Sequence, residues 1–126
     1  MRKKFRLTKK RFRDGSGNEK EMYYPTSISN NMIDTKEVAR EISHATSLSI
    51  PDALAATHAF SIVIAQHLAI GNKIKLDGIG IFGLSVTGEG VEDMKEFDLR
   101  TLEVKKVTFK ADKELIKKVR ETYTKG

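Results

Sequence analysis

The chain opens with a charged, strand-like run over residues 3–13, followed by the turn cluster Asp14-Gly15-Ser16-Gly17-Asn18. Glycines there supply positive φ, and Asp and Asn bond their own backbone. A second strand is predicted from Glu21 to Ile28, with Tyr23 and Tyr24 suited to a pleated surface. Pro25 places that strand near an edge or a bulge. Together these runs predict a β-hairpin. Ser27 to Ile33 is a polar connector.

Helical spacing then takes over. Asp34-Thr35-Lys36-Glu37 resembles a capping box, with the Asp34 oxygen on the first-turn amides and Glu37 reaching back. Val38, Ile42 and Ala45 share one face of this helix, which should end near Thr46. A second helix is predicted from Ser49. Pro51 falls in its first turn, where a missing N–H costs nothing, and Asp52 complements the dipole. It should run to about Ile70, with Gly71 as its C′ residue. Leu54, Phe60, Ile62, Val63, Ile64, Leu68 and Ile70 cover most of its circumference. A helix apolar nearly all round is buried nearly all round, and two or three helices of one chain cannot supply that cover. An obligate dimer is the reading this favours; a central helix of a monomeric core is the alternative.

Strand spacing returns at Ile74 and Leu76, which alternate with Lys73, Lys75 and Asp77. Gly78-Ile79-Gly80 allows a tight bend. Phe82, Leu84 and Val86 then line one face. The stretch from Thr87 to Asp98 is polar and acidic. A further strand is predicted from Leu99 to Phe109, and its alternation slips between Leu102/Val104 and Val107/Phe109, which predicts a bulge around Lys105-Lys106. Asp112 should cap a last helix from Lys113 to about Tyr123, with Leu115, Ile116 and Val119 inward. Hairpin, two helices, three-stranded sheet and helix make an α+β fold.

Charge sharpens the picture because of where it sits. Residues 1–32 hold nine basic and three acidic side chains, whereas the remaining 94 hold 14 of each sign. A basic arm on a neutral body points to a polyanionic partner; a solvated strand that only aids solubility is the plainer alternative. There is no cysteine among the 126 residues, so disulfides and thiolate metal sites are excluded and a cytoplasmic location is expected. No apolar stretch follows Arg2, Lys3 and Lys4, so no signal peptide is expected. The most apolar segment, Ala53 to Ile70, is interrupted by Thr57, His58, Ser61, Gln66 and His67 and reads as a buried helix rather than a membrane span.

Catalytic chemistry finds no foothold. His44, His58 and His67 carry no accompanying metal-ligand spacing, and the last two fall on different sides of one helix. Gly78-Ile79-Gly80 lacks the third glycine and following helix of a dinucleotide site. No enzyme, cofactor, metal or small-molecule substrate is expected.

Two segments carry a family resemblance. Gly71-Asn72-Lys73-Ile74-Lys75-Leu76-Asp77-Gly78-Ile79-Gly80-Ile81-Phe82 resembles the G-x-x-[IV]-x-[IL]-x-G-[FI]-G-x-F signature of the bacterial HU and integration-host-factor proteins. Phe109-Lys110-Ala111-Asp112-Lys113-Glu114-Leu115 resembles their F-[KR]-P-G-K-x-L stretch. The resemblance covers about residues 33–124, and the extra N-terminal hairpin resembles an HU-related subfamily common in Bacteroidetes. It implies an intertwined dimer: two N-terminal helices, a three-stranded antiparallel sheet with a β-arm, and a C-terminal helix. The arms would reach around the DNA minor groove. Residues 1–32 would be a basic hairpin extension and 33–126 the HU-like domain. Leu54, Phe60, Ile64, Leu68 and Phe82 would form the dimer core. The implied function is nucleoid-associated, histone-like binding and condensation of duplex DNA with weak sequence preference. Pairing with itself or with a paralogue stays open.

The chain departs from that pattern where the arm should be. Gly88 to Asp98 is short, lacks proline, and has five carboxylates against one lysine. Such a segment is repelled by phosphate. Ala111 and Asp112 replace the usual proline and glycine, while Lys110 and Lys113 match. The hairpin cations Arg6, Lys9, Lys10, Arg11 and Arg13 are expected to take over from the arm, with Lys73, Lys75, Lys105, Lys106, Lys110 and Lys113 as body contacts. One rival reading is a dimeric HU-like scaffold for protein contacts with reduced DNA binding. Another is RNA binding through the hairpin, with Tyr23 and Tyr24 stacking on bases.

Overall fold

The computed structural model describes residues 4–125, with side chains through Tyr123. Arg2 and Lys3, and with Lys3 the first residue of the predicted first strand, lie outside the described residues. Strands β1 (Phe5–Arg13) and β2 (Glu19–Ser27) pair antiparallel. Asp14 shapes the turn between them: its Oδ1 accepts the N–H groups of Ser16 at 2.9 Å and Asn18 at 3.1 Å. Ladder partners sum to 32, as in Arg11↔Glu21, because the turn centres on Ser16.

Helix α1 (Thr35–Ala45) starts where expected, with Asp34 Oδ1 accepting the Glu37 N–H at 3.0 Å. The reciprocal half of the capping box is not made. The Glu37 carboxylate lies 3.4 Å from Arg40 instead, one turn along the helix. Helix α2 (Ile50–Ala69) starts at Ser49, whose Oγ accepts the Asp52 N–H. It closes in a Schellman motif: the Gly71 N–H reaches the Leu68 carbonyl and the Asn72 N–H the His67 carbonyl. Gly71 makes this possible at a φ of 89°.

Strands β3 (Ile74–Leu76), β4 (Gly80–Thr87) and β5 (Glu103–Ala111) form an antiparallel sheet in the order β3-β4-β5. Strand β5 begins at Glu103, not at Leu99. Residues Leu99–Thr101 form a 3₁₀ turn because the Asp98 carboxylate captures the Arg100 N–H. A bulge falls where the slipped alternation predicts it. Ser85 pairs with Lys106 and Val86 with Val104, leaving Lys105 as the extra residue.

The last helix, α3 (Lys113–Lys125), differs from expectation at its start. The Asp112 carbonyl accepts the Ile116 N–H, but its carboxylate turns to the Gly78 N–H at 2.8 Å. The sheet turn brings it an amide that the strands leave unpaired. Of the three apolar residues expected inward, Leu115 is half-buried, while Ile116 and Val119 are exposed. Tyr123, near the helix end, meets the start of β1: its hydroxyl donates to the Lys4 carbonyl at 2.6 Å, and Lys4 Nζ donates to the Tyr123 carbonyl at 3.2 Å.

Helix α2 lies against α1 on one side and β3 and β4 on another. Even so, the described hydrophobic residues that are fully buried are Ala39, Ala53 and Leu68. Among the described residues, no helix is long and apolar enough to cross a membrane.

Candidate nucleic-acid interface

Strand alternation sorts the three-stranded sheet into two faces. Ile74, Leu76, Phe82, Leu84 and Phe109 share the face toward α2, and the rings of Phe82 and Phe109 meet at 4.9 Å between centroids. The opposite face carries Lys75, Ile81 and Lys110 in one cross-strand row and Ser85 opposite Lys106 further along. Lys73 precedes β3 in the same phase as Lys75. Lys73, Lys75, Lys105, Lys106, Lys110 and Lys113 are all exposed. None of them forms an ion pair among the described residues.

Two glycines set the shape at one end of this face. A Cβ at Gly80 would run into the Lys110 carbonyl and the Phe109 ring, so β4 and β5 approach closely here. At Gly78 the reason is different: nothing lies near, but the φ is 78°. The resulting depression, about 260 Å³, is lined by Lys75, Ile81, Lys110 and Lys113. Asp112 also lines it, but its carboxylate is held by Gly78 and its N–H donates to the Ile79 carbonyl. Three lysines therefore line a depression whose single carboxylate is already bonded to the Gly78 amide, a composition that suits a phosphate.

The hairpin cations are less free than the sequence suggests. Lys9 and Arg11 both pair with Glu21, at 2.9 and 3.0 Å. Arg13 stands opposite Glu19 in the ladder, with no ion pair between the two. Arg6 and Lys10 lie on the other face of the ribbon, joined by Lys20, a cation outside the expected set. The expected hairpin residues thus divide between two faces of unlike charge. Glu21 was legible: counting outward from the turn places it opposite Arg11.

Among the described residues no β-arm projects from the sheet. The ladder stops at Thr87 and Glu103, and the intervening residues fold into two 3₁₀ turns, Met94–Glu96 and Leu99–Thr101. Each turn is capped by an aspartate, Asp93 and Asp98. Phe97 packs over Gly88, and Thr101 Oγ1 receives the Glu89 N–H. These local acceptors make the short acidic segment a compact loop where an arm needs a continued ladder. Bonding to the Arg100 side chain, and then to its backbone, holds the Asp98 carboxyl below the usual carboxylate range.

Of the residues expected at a subunit interface, Leu68 is buried within the chain, Leu54, Ile64 and Phe82 are half-buried, and Phe60 is 53% exposed. His67 Nδ1 faces Asn72 Nδ2 at 3.1 Å. Among the described residues, no group of three His, Cys, Asp or Glu is placed to hold a metal ion.

Comparison with known proteins adds three findings. A family model, HU-HIG, described as an HU domain fused to a winged helix-turn-helix, immunoglobulin-like or glycine-rich motif, matches residues 1–125. Among solved structures, the chain is similar to a candidate bacterial DNA-binding protein from Bacteroides vulgatus, with a TM-score of 0.60 and 14% identity. That similarity covers 91% of this chain and 44% of the other, so this chain spans less than half of its length. No curated protein matches.

Proposed function

The chain belongs to the HU-HIG family, and on that premise we propose that it binds duplex DNA with weak sequence preference, as a homodimeric architectural protein of a bacterial nucleoid. The observation that carries the reading is the lysine face of the three-stranded sheet. Lys75, Lys106 and Lys110 stand on it without an ion-pair partner among the described residues, Lys73 precedes its first strand, and Lys113 extends it onto α3. Lys105 adds a cation at the bulge. Unpaired lysines keep their full charge for phosphate, so counterion release drives binding and makes it steeply salt-dependent. Nothing on this face offers the forked donors and acceptors of base readout, which is why sequence preference should be weak.

In this reading residues 33–126 form the body that carries the lysine face, and residues 1–32 add a basic ribbon. A second copy would cover α2, whose Phe60, Ile62 and Val63 are each about half exposed in one chain. Leaving that much apolar surface in water costs on the order of 25 cal/mol per Å². Without a β-arm, wrapping of the minor groove is not part of the proposal.

The test is a titration of the full chain against a random-sequence duplex at several salt concentrations. Tight binding that falls steeply with salt, and that is lost in Lys75→Glu/Lys110→Glu while the oligomeric state is kept, is the expected result. No binding at low salt would sink the assignment. It would leave the second reading, a scaffold for protein contacts, which the ordered acidic loop favours: Met94 and Leu99 project from it at 92% and 75% exposure.

A further inference from the structure

The two faces of the N-terminal ribbon are chemically unlike. With a period of two, Phe5, Leu7, Lys9, Arg11 and Arg13 share one face with Glu19, Glu21 and Tyr23. Glu21 pairs with two of those cations, and Glu19 adds a second carboxylate to the same face. The other face carries Arg6, Lys10 and Lys20 and no carboxylate from either strand. Among the described residues its one ion pair is that of Lys20 with Asp14 in the turn, at 3.6 Å, and the Oδ1 of that carboxylate is bonded to turn amides.

Rings and cations alternate along this second face. Arg6 pairs with Thr26, Thr8 with Tyr24, Lys10 with Met22, and Phe12 with Lys20. Thr8 and Thr26 bond to each other diagonally through their hydroxyls at 2.9 Å. Lys10 Nζ stands over the Tyr24 ring, 5.6 Å from its centroid. Phe12 and Tyr24 are 39% and 38% exposed, so both rings are open to solvent.

We propose that this face, with Arg6, Lys10 and Lys20 on phosphates and Tyr24 and Phe12 under bases, binds single-stranded nucleic acid. The inference rests on the nucleic-acid reading above and adds a second, separate surface to it. A duplex buries its base faces in the stack and can use the cations alone. A single strand exposes those faces, and stacking on an aromatic ring tolerates any base. Lys10 is a flexible point charge and can swing from Tyr24 to a phosphate as a base takes its place. The opposite face cannot match this, because its charge is largely cancelled.

The experiment titrates the full chain with labelled oligo(dT) and oligo(rU), reading oligomer anisotropy and tyrosine emission together. The chain has no tryptophan and three tyrosines, so quenching reports ring contact. Tyr24→Ala should weaken oligomer binding at least about fivefold, while Tyr24→Phe retains it. Tyr23→Ala, a ring removed from the opposite face of the same ribbon, should leave it unchanged, and Tyr24→Ala should bind duplex as the parent does. Either sugar satisfies the inference, and the tighter oligomer identifies the strand bound. Equal losses in Tyr23→Ala and Tyr24→Ala, or no quenching in the parent chain, would overturn it. A parent that binds duplex but neither oligomer defeats this inference alone; one that binds nothing defeats the reading beneath it as well.

Discussion

The backbone N–H of Gly78 donates to the carboxylate of Asp112 at 2.8 Å, joining the β3–β4 turn to the start of α3 across 34 residues. Asp112 stands where the HU-like pattern has glycine, and it clasps the turn at two points, since its own N–H also reaches Ile79. The amide would otherwise lack a partner in a half-buried position. Asp112→Ala should cost about 1.5 kcal/mol or more in urea unfolding. Asp112→Asn keeps an acceptor and should recover much of the loss; equal stability of the two variants would deny the clasp.

Glu21 restrains the hairpin's charge by holding Lys9 and Arg11 together. Glu21→Gln should release both and raise affinity for duplex DNA. The salt dependence should steepen by up to about 0.9 in log–log slope for each cation that gains a phosphate. Lys9→Ala alone should change little. A weaker-binding Glu21→Gln would mean that the pair positions the ribbon rather than neutralising it.

Phe60 projects half exposed from a helix that has almost no core of its own. If α2 lies at the proposed subunit interface, Phe60→Asp should abolish self-association or prevent folding, because the carboxylate would be desolvated there. Sedimentation velocity decides the matter. A variant of unchanged mass and stability would remove α2 from the interface.

Asp98 titrates below the usual carboxylate range because it is bonded to Arg100. A carboxyl whose pKa is lowered in the folded state stabilises that state above its ordinary value. The contribution is lost as pH falls through the lowered value. The Arg100 amide resonance should therefore shift at acid pH as the loop cap releases. In Asp98→Ala that titration should vanish.

Much of the fold was legible because its signals are local. Caps at Asp34 and Ser49, the glycine stop at Gly71 and the phase slip before Val107 each involve a few neighbouring residues. Misreadings arose where a side chain had a distant choice. Glu37 looked like the second half of a capping box and went to Arg40; Asp112 looked like a helix cap and went to Gly78. The candidate site was legible as a list of cations but not as a surface. Which lysines share the outer sheet face follows from pairing, and Lys20 entered only once the hairpin register placed it beside Lys10. The charge of the acidic loop marks it as a poor arm, but its aspartate-capped turns carry no periodic signal, and the second coincides with the start of a strand-like alternation.

The extra residue at Lys105 makes this strand unusually forgiving of a change in chain length. Removing one residue from a regular strand turns every later side chain to the wrong face. Here Lys105 is the residue without a ladder partner, and Val104 already faces Val86. A chain shortened at Lys105 would keep Lys106 opposite Ser85 and Val104 opposite Val86 in an unbroken ladder. The bulge is thus a place where one residue can be lost without disturbing the apolar face, and the lysine side loses one charge rather than its order.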